Sequence, residues 1–238
     1  MKTFITFGGP TPNFHRSVQR ICEEARSLHV FDEIRGFTEK DLIEDTDFWK
    51  RHGNFICNNQ RGFGYWIWKS HLIKKTFDSL NEGDMLVYCD AGCHVNKNGI
   101  DRLNEYFEML RTSREGYGII SFQLEFKEYQ YTKRAIFQNF KSSIDIQESN
   151  QCMATILVIM KNTNSEQILK SWFDNARYDL LNDITAGERA GFIENRHDQS
   201  ILSVIVNTNG SIKLKDETYF HPNWSDGDRF PFHARRWK

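Results

Sequence analysis

The stretch Arg61-Gly62-Phe63-Gly64-Tyr65-Trp66-Ile67-Trp68-Lys69, a turn at Asn81-Glu82-Gly83-Asp84, and then Met85-Leu86-Val87-Tyr88-Cys89-Asp90-Ala91-Gly92-Cys93-His94-Val95-Asn96 organises this chain. Met85 to Cys89 is an apolar run of strand length between turn signals. Such a run reads as a strand buried on both faces, the pattern of a parallel sheet. Asp90 stands at its carboxyl end, followed by the small residues Ala91 and Gly92. Ligands of open α/β sheets bind beyond the carboxyl ends of the strands. A carboxylate there is a candidate ligand or metal contact; its other reading is a cap on the next turn.

Outward from this strand, structural types alternate. Thr3 to Phe7 reads as a first strand running into Gly8-Gly9-Pro10. Phe14 to Leu28 has apolar residues at helical spacing, and Val30 to Phe37 is a second strand candidate. Thr38-Glu39-Lys40-Asp41 carries a helix-start signature, and Asp45 to Cys57 continues as helix. Tyr65 to Leu80 reads as a helix whose start, behind Gly62 and Gly64 and beside Arg61 and Lys69, suits an anion or a solvated turn. Further on come a helix over Gly99 to Leu110, a strand over Gly116 to Leu124 and an aromatic-basic cluster over Lys127 to Phe140. A strand follows over Gln151 to Met160, then a helix over Asn164 to Arg177 and a short helix over His197 to Asn207. This order predicts an α/β fold, one domain over residues 1–238, with a mostly parallel central sheet flanked by helices.

Composition removes several classes. The 31 basic and 32 acidic residues leave a net charge of −1, so no overall field draws the chain to nucleic acid or membrane. No apolar stretch approaches a membrane span, and the first residues are too short an apolar run for a signal peptide. The five scattered cysteines lack zinc-site spacing and read as reduced thiols, which predicts a cytoplasmic protein.

The segments Arg61–Lys69, Gly83-Asp84 and Tyr88–Cys93, with Tyr131-Thr132-Lys133 and His197-Asp198-Gln199-Ser200-Ile201-Leu202, together resemble the small GT-A glycosyltransferases of bacteria and of large DNA viruses of algae. The last segment is similar to the helix start of glycogenin-like retaining transferases. The resemblance implies a GT-A, Rossmann-like fold and transfer of a sugar from a nucleoside-diphosphate donor, a UDP-sugar first, to a glycan acceptor. It implies donor contacts from Arg61, Tyr65, Lys69, Asp90, Ala91, Gly92 and Gln151, and acceptor contacts from Tyr131 and Lys133. It also implies Mn²⁺ or Mg²⁺ on Asp90 and a late histidine, His221 or His233, although Gly92 stands where the family has its second acidic residue. Asp198 and Gln199 take the catalytic positions. An amide cannot serve as a base, so Gln199 suits retention, whereas Asp198 is the base that inversion would need.

Two other classes fit parts of the sequence. A non-catalytic nucleotide-sugar or glycan-binding module fits the missing second acid. A methyltransferase using S-adenosylmethionine needs a glycine-rich turn after the strand, but here Cys93-His94-Val95-Asn96 follows without further glycine.

Overall fold

The computed structural model describes Met1–Trp237; Lys238 lies outside the described residues. The first part of the chain runs β1 (Lys2–Gly8), α1 (Pro12–Ser27), β2 (Glu33–Thr38), α2 (Glu39–Glu44), α3 (Thr46–Asn58), α4 (Gly62–Tyr65), α5 (Ile67–Asp78), β3 (Met85–Cys89), β4 (His94–Val95) and α6 (Ile100–Arg111). It continues through β5 (Ile119–Lys127), α7 (Glu128–Tyr131), α8 (Arg134–Phe140), α9 (Ile144–Glu148), β6 (Asn150–Cys152), β7 (Ile156–Met160), α10 (Thr163–Asn175) and α11 (Tyr178–Leu181). It ends with α12 (Asp198–Asn209), β8 (Ile212–Lys215) and β9 (Phe232–His233).

Seven strands form one sheet in the order β2-β1-β3-β7-β5-β6, with β8 also paired to β5. β1 pairs in parallel with β2 and β3, and β5 with β8, while β7 and β6 run antiparallel to their neighbours. Most strands therefore point the same way, and β3 sits where parallel pairing gives way to antiparallel. Crevices at such changes of sheet order are where open α/β folds bind ligands.

The alternation of β3 explains its unbroken apolar run. Leu86 and Tyr88 face a core built with α3, α5, α10 and α12. Met85, Val87 and Cys89 face a second core built with α1 and α6. Both faces are covered, so all five residues are buried.

Local chemistry sets several boundaries. Thr38 and Asp41 form a capping box on α2, and Asp45 caps α3 through the Phe48 N–H. Two expectations need correction. The run from Gln151 to Met160 is two strands: the chain bends at Met153–Thr155, so β6 pairs with β5 and β7 inserts between β3 and β5. The helix expected from Tyr65 begins at Ile67 instead. Residues 62–66 form a left-handed turn, with φ of 58° at Gly62, 53° at Phe63, 83° at Gly64, 49° at Tyr65 and 59° at Trp66. β8, an edge strand, alternates Ile212 and Leu214 with Lys213 and Lys215, a four-residue pattern that is not among the elements expected above. No helix among the described residues is long and apolar enough to cross a membrane.

Candidate active site

A cavity of ≈ 1010 Å³ opens at the carboxyl ends of β1 and β3. One part of its wall is Phe7, Gly9, Pro10, Thr11 and Phe14, from the end of β1 and the start of α1, with Phe63 and Trp68. The Phe7 and Trp68 rings stack with centroids 3.9 Å apart. The opposite part includes Thr155, Arg196, Gln199, Asp216, Tyr219 and Arg236. Asp90, Ala91 and Gly92 belong to the same lining, and the sheet order places them between the two parts.

Lys69 lies at the centre of the polar machinery. Its side chain is 3% exposed, and its Nζ stands 3.0 Å from Asp90 Oδ1 and 3.3 Å from Asp198 Oδ2. It also donates to the Ala154 carbonyl at 3.3 Å. Burial alone would pull the ammonium pKa down, but Asp198 and Asp90 outweigh it and hold Lys69 above the ordinary lysine range. Asp90 Oδ1 accepts a second bond, 2.5 Å, from the Tyr88 hydroxyl. Asp198 is deeper: burial pushes its carboxyl up to about 6 despite the neighbouring ammonium, and the Asp90 charge adds to the rise. Sequence reading placed these three residues separately, and the fold brings them onto one ion network.

Gln199 lines the cavity, and its amide orientation is set from behind. Its Oε1 accepts from the Ala154 N–H at 3.2 Å, and its Nε2 donates to Gln151 Oε1 at 2.9 Å. Gln151 is fully buried and donates in turn to the Thr132 hydroxyl and the Tyr131 carbonyl. Thr132 donates to Glu128, which also accepts from Ser203 and Asn207. Burial lifts the Glu128 carboxyl to about 7. Gln151 thus acts on the site through Gln199 rather than by facing a ligand.

The start of α12 is held under strain. His197, just before Asp198, has φ 55° and ψ −119°. Its ring stacks against Tyr65 at 5.0 Å and Trp66 at 5.3 Å between centroids, and its Nδ1 pairs with the Leu181 carbonyl. Left-handed backbone costs a non-glycine residue roughly 1–2 kcal/mol, so the five-residue turn at 62–66 persists only because the packing around it dictates it. Phe63 and Trp66 present cavity wall while Tyr65 and Trp66 grip His197.

Other expected residues stand elsewhere. Arg61 is half exposed, does not line the cavity, and pairs with Asp183 at 3.0 Å and Glu194 at 3.5 Å. Tyr65 serves the His197 stack. Lys133 is 1% exposed and donates to the Asn182 carbonyl and amide oxygens and the Ile184 carbonyl, so it ties down a loop instead of meeting an acceptor. Tyr131 lies under the Arg196 guanidinium, 3.8 Å from its ring centroid, and reaches the cavity through that arginine.

The chain's donor set does not fit the expected Mn²⁺ or Mg²⁺. Among the described residues no group of three or more His, Cys, Asp or Glu could hold a metal ion. Gly92 supplies no ligand, and the Asp90 carboxylate already meets an ammonium that a divalent ion would have to face. His221 is exposed against the Tyr219 ring, and His233 is buried with its Nε2 paired to the Gly227 carbonyl.

Sequence reading also missed residues. Asp216 lines the cavity, and burial raises its pKa although Thr218 donates to it through N–H and hydroxyl. Arg196 and Arg236 line it too.

No family model matches the chain, and no curated protein matches it. Solved structures share its architecture. A glycosyltransferase involved in the glycosylation of the major capsid of PBCV-1 is similar at TM-score 0.55 and 10% identity, over 98% of this chain and 91% of that one. Mouse xyloside xylosyltransferase 1 in its apo form is similar at TM-score 0.49 and 9% identity, over 99% and 96%. The galactosyltransferase LgtC, solved with donor and acceptor sugar analogs, is similar at TM-score 0.45 and 11% identity, over 97% and 86%. With the sheet described above, the first likeness shows that this chain has the GT-A-type fold expected from its sequence.

Proposed function

We propose that the chain is a glycosyltransferase that moves a sugar from a nucleoside-diphosphate donor, a UDP-sugar foremost, to a glycan acceptor with retention of configuration. The observation that carries this reading is the Lys69 network with Gln199 at the end of β3, opening on a cavity large enough for a nucleotide sugar. The aromatic and glycine-lined wall from Phe7 to Phe14 suits the nucleoside. The Asp90–Gly92 turn suits the diphosphate, with small side chains that allow close approach. Asp90, which lines the cavity while Lys69 and Asp198 lie buried behind it, suits a sugar hydroxyl, which both donates and accepts hydrogen bonds.

The reaction breaks the anomeric carbon–oxygen bond, and its electron pair leaves with the nucleoside diphosphate. The acceptor hydroxyl oxygen forms the new bond, and in a retaining reaction its proton passes to the departing phosphate oxygen. Gln199 contributes a fixed dipole beside the anomeric centre but no base. Asp198 is a poor base candidate, because it is buried and its Oδ2 faces Lys69. Its role is to hold the ammonium in place.

The test is a nucleotide-sugar screen by thermal stabilisation, followed by proton NMR of the product made from the best donor. Ligand at about a hundred times its dissociation constant stabilises by roughly 2.7 kcal/mol, enough to rank donors. A product with the donor's anomeric configuration is expected. An inverted product would overturn retention and make Asp216, a carboxylate lining the cavity, the base to examine. Binding without turnover would favour a nucleotide-sugar-binding module.

A further inference from the structure

Gly92 stands where a second metal-binding acid is expected, and the structure gives a reason beyond the missing carboxylate. The Trp237 N–H donates to the Gly92 carbonyl at 2.9 Å. A Cβ built on Gly92 would lie 3.1 Å from the Trp237 carbonyl oxygen and 3.2 Å from Arg236 Cα. The backbone of residues 236–237 therefore fills the space into which an acidic side chain would project.

This segment is anchored. The Arg20 guanidinium lies 5.0 Å from the Trp237 ring and donates to the Ala91 carbonyl at 2.8 Å. The Arg235 guanidinium is 4.9 Å from the Trp237 ring and 4.8 Å from the Trp224 ring. Ala234 N–H donates to the Thr218 carbonyl at 2.8 Å. Between these holds, Arg236 takes φ 58°, a conformation that costs a non-glycine residue, and lines the cavity together with Asp90, Ala91 and Gly92. Arg236 is exposed and pairs with no carboxylate among the described residues. A second guanidinium, Arg196, lines the same cavity and among the described residues has only a distant carboxylate, Glu194 at 3.9 Å. Burial lowers the Arg196 pKa, Tyr131 and Glu194 partly oppose it, and the Arg236 charge adds a smaller lowering. Two like charges that feel each other across a cavity favour an anion between them.

We infer that the diphosphate of the donor is held, and its departing charge taken up, by the guanidinium groups of Arg236 and Arg196 in place of a divalent metal ion. This rests on the nucleotide-donor reading above. Guanidinium is permanently charged and meets phosphate oxygens in a two-pronged fashion, so it can carry both binding and charge offset. As the anomeric carbon–oxygen bond breaks, the electron pair collects on the terminal phosphate oxygen, and this is the charge the two guanidinium groups offset.

The experiment is calorimetric titration of the full chain with UDP, then with GDP and CDP, in EDTA and again in MnCl₂. It is repeated on Arg236→Asn, which tolerates the left-handed backbone, and on Arg236→Lys, which keeps the charge. The expected result is nucleotide binding in EDTA that changes less than about twofold with Mn²⁺. Arg236→Asn should weaken it by roughly tenfold or more, Arg236→Lys should recover part of the loss, and added salt should weaken the wild type more than Arg236→Asn. Unchanged Trp fluorescence and melting of the variants would show that the segment is still docked. Binding that needs Mn²⁺, or binding that Arg236→Asn leaves intact, would overturn the inference while leaving the donor reading in place. Failure of every nucleotide to bind under both conditions would overturn the donor reading and the inference with it.

Discussion

The end of β3 and the start of α12 each offer one aspartate to Lys69, and they differ in almost every other respect. The Asp90 side chain is 32% exposed on a cavity wall, while that of Asp198 is 7% exposed. Asp90 terminates a regular strand whose apolar run needs no special geometry. Asp198 follows a residue in a strained conformation, gripped by rings from a left-handed turn. The same side chain therefore has two roles. Water at Asp90 screens its charge and leaves an edge open to a ligand. Burial at Asp198 makes its charge costly, so its pKa rises and its value lies in fixing the ammonium between the two.

Replacing the shared partner should have the largest effect. Lys69→Met leaves two carboxylates without their cation, one of them buried. Breaking a buried pair from one side costs on the order of 3–5 kcal/mol. We expect that loss in chemical denaturation at pH 7.5, with transfer falling by about a thousandfold or more. At pH 5 the loss should shrink, because Asp198 can then take up a proton. A variant as stable as the wild type at pH 7.5 would remove the cation from its central place.

Next come the aspartates themselves. Asp90→Asn should keep the melting temperature nearly unchanged while lowering transfer by about a hundredfold. Asp198→Asn should cost transfer less, roughly tenfold, and should change the pH profile. In the wild type kcat/KM should fall as the pH drops through about 6, because protonated Asp198 releases Lys69. Stability should run the other way. The folded pKa of Asp198 lies above its ordinary value of 3.8, so its favourable contribution is complete below that value and is lost as the pH rises through about 6. Asp198→Asn should flatten both trends; if the profiles stay as in the wild type, burial does not separate the two carboxylates.

The smaller effects probe what supports α12 from behind. Gly62→Ala places a methyl group against the Trp66 ring at a φ of 58°. It should destabilise by about 1–3 kcal/mol and lower transfer only several-fold, through His197. Glu128 titrates in the same direction as Asp198: its contribution is complete below its ordinary 4.5 and is lost as the pH rises through about 7. Glu128→Gln should remove that slope from melting curves between pH 5 and 8 with little effect on transfer. An unaltered slope would detach Glu128 from the relay behind Gln199.

Sequence patterns were legible where local chemistry governs. The run Met85 to Cys89, the cap at Thr38 with Asp41 and the glycine turn after β1 each fold as their own residues require. Legibility faded where the chain bends within one apolar segment. Gln151 to Met160 looks continuous, yet Met153–Thr155 redirects it because β5 offers different partners to its two halves. In the site, Asp90, Ala91, Gly92 and Gln199 line the cavity, whereas Lys69 and Asp198, expected from the sequence at the donor and at the reaction centre, lie buried behind it. Arg61 and Lys133 misled because a cation near a motif in sequence says nothing about which acid or carbonyl captures it.

By itself, then, the sequence determined the α/β order of elements, the doubly buried β3 and the carboxylate at its end. Periodicity records which faces of an element avoid water, and turn residues record where it must stop. Only the tertiary structure decided that Lys69 joins Asp90 to Asp198, that Gln151 sets the Gln199 amide, that residues 62–66 turn left-handed around His197, and that Arg236 and Arg196 share a cavity with Gly92. Those facts depend on partners distant in the chain. The energy of a charge or an amide is set by what surrounds it once water has been excluded.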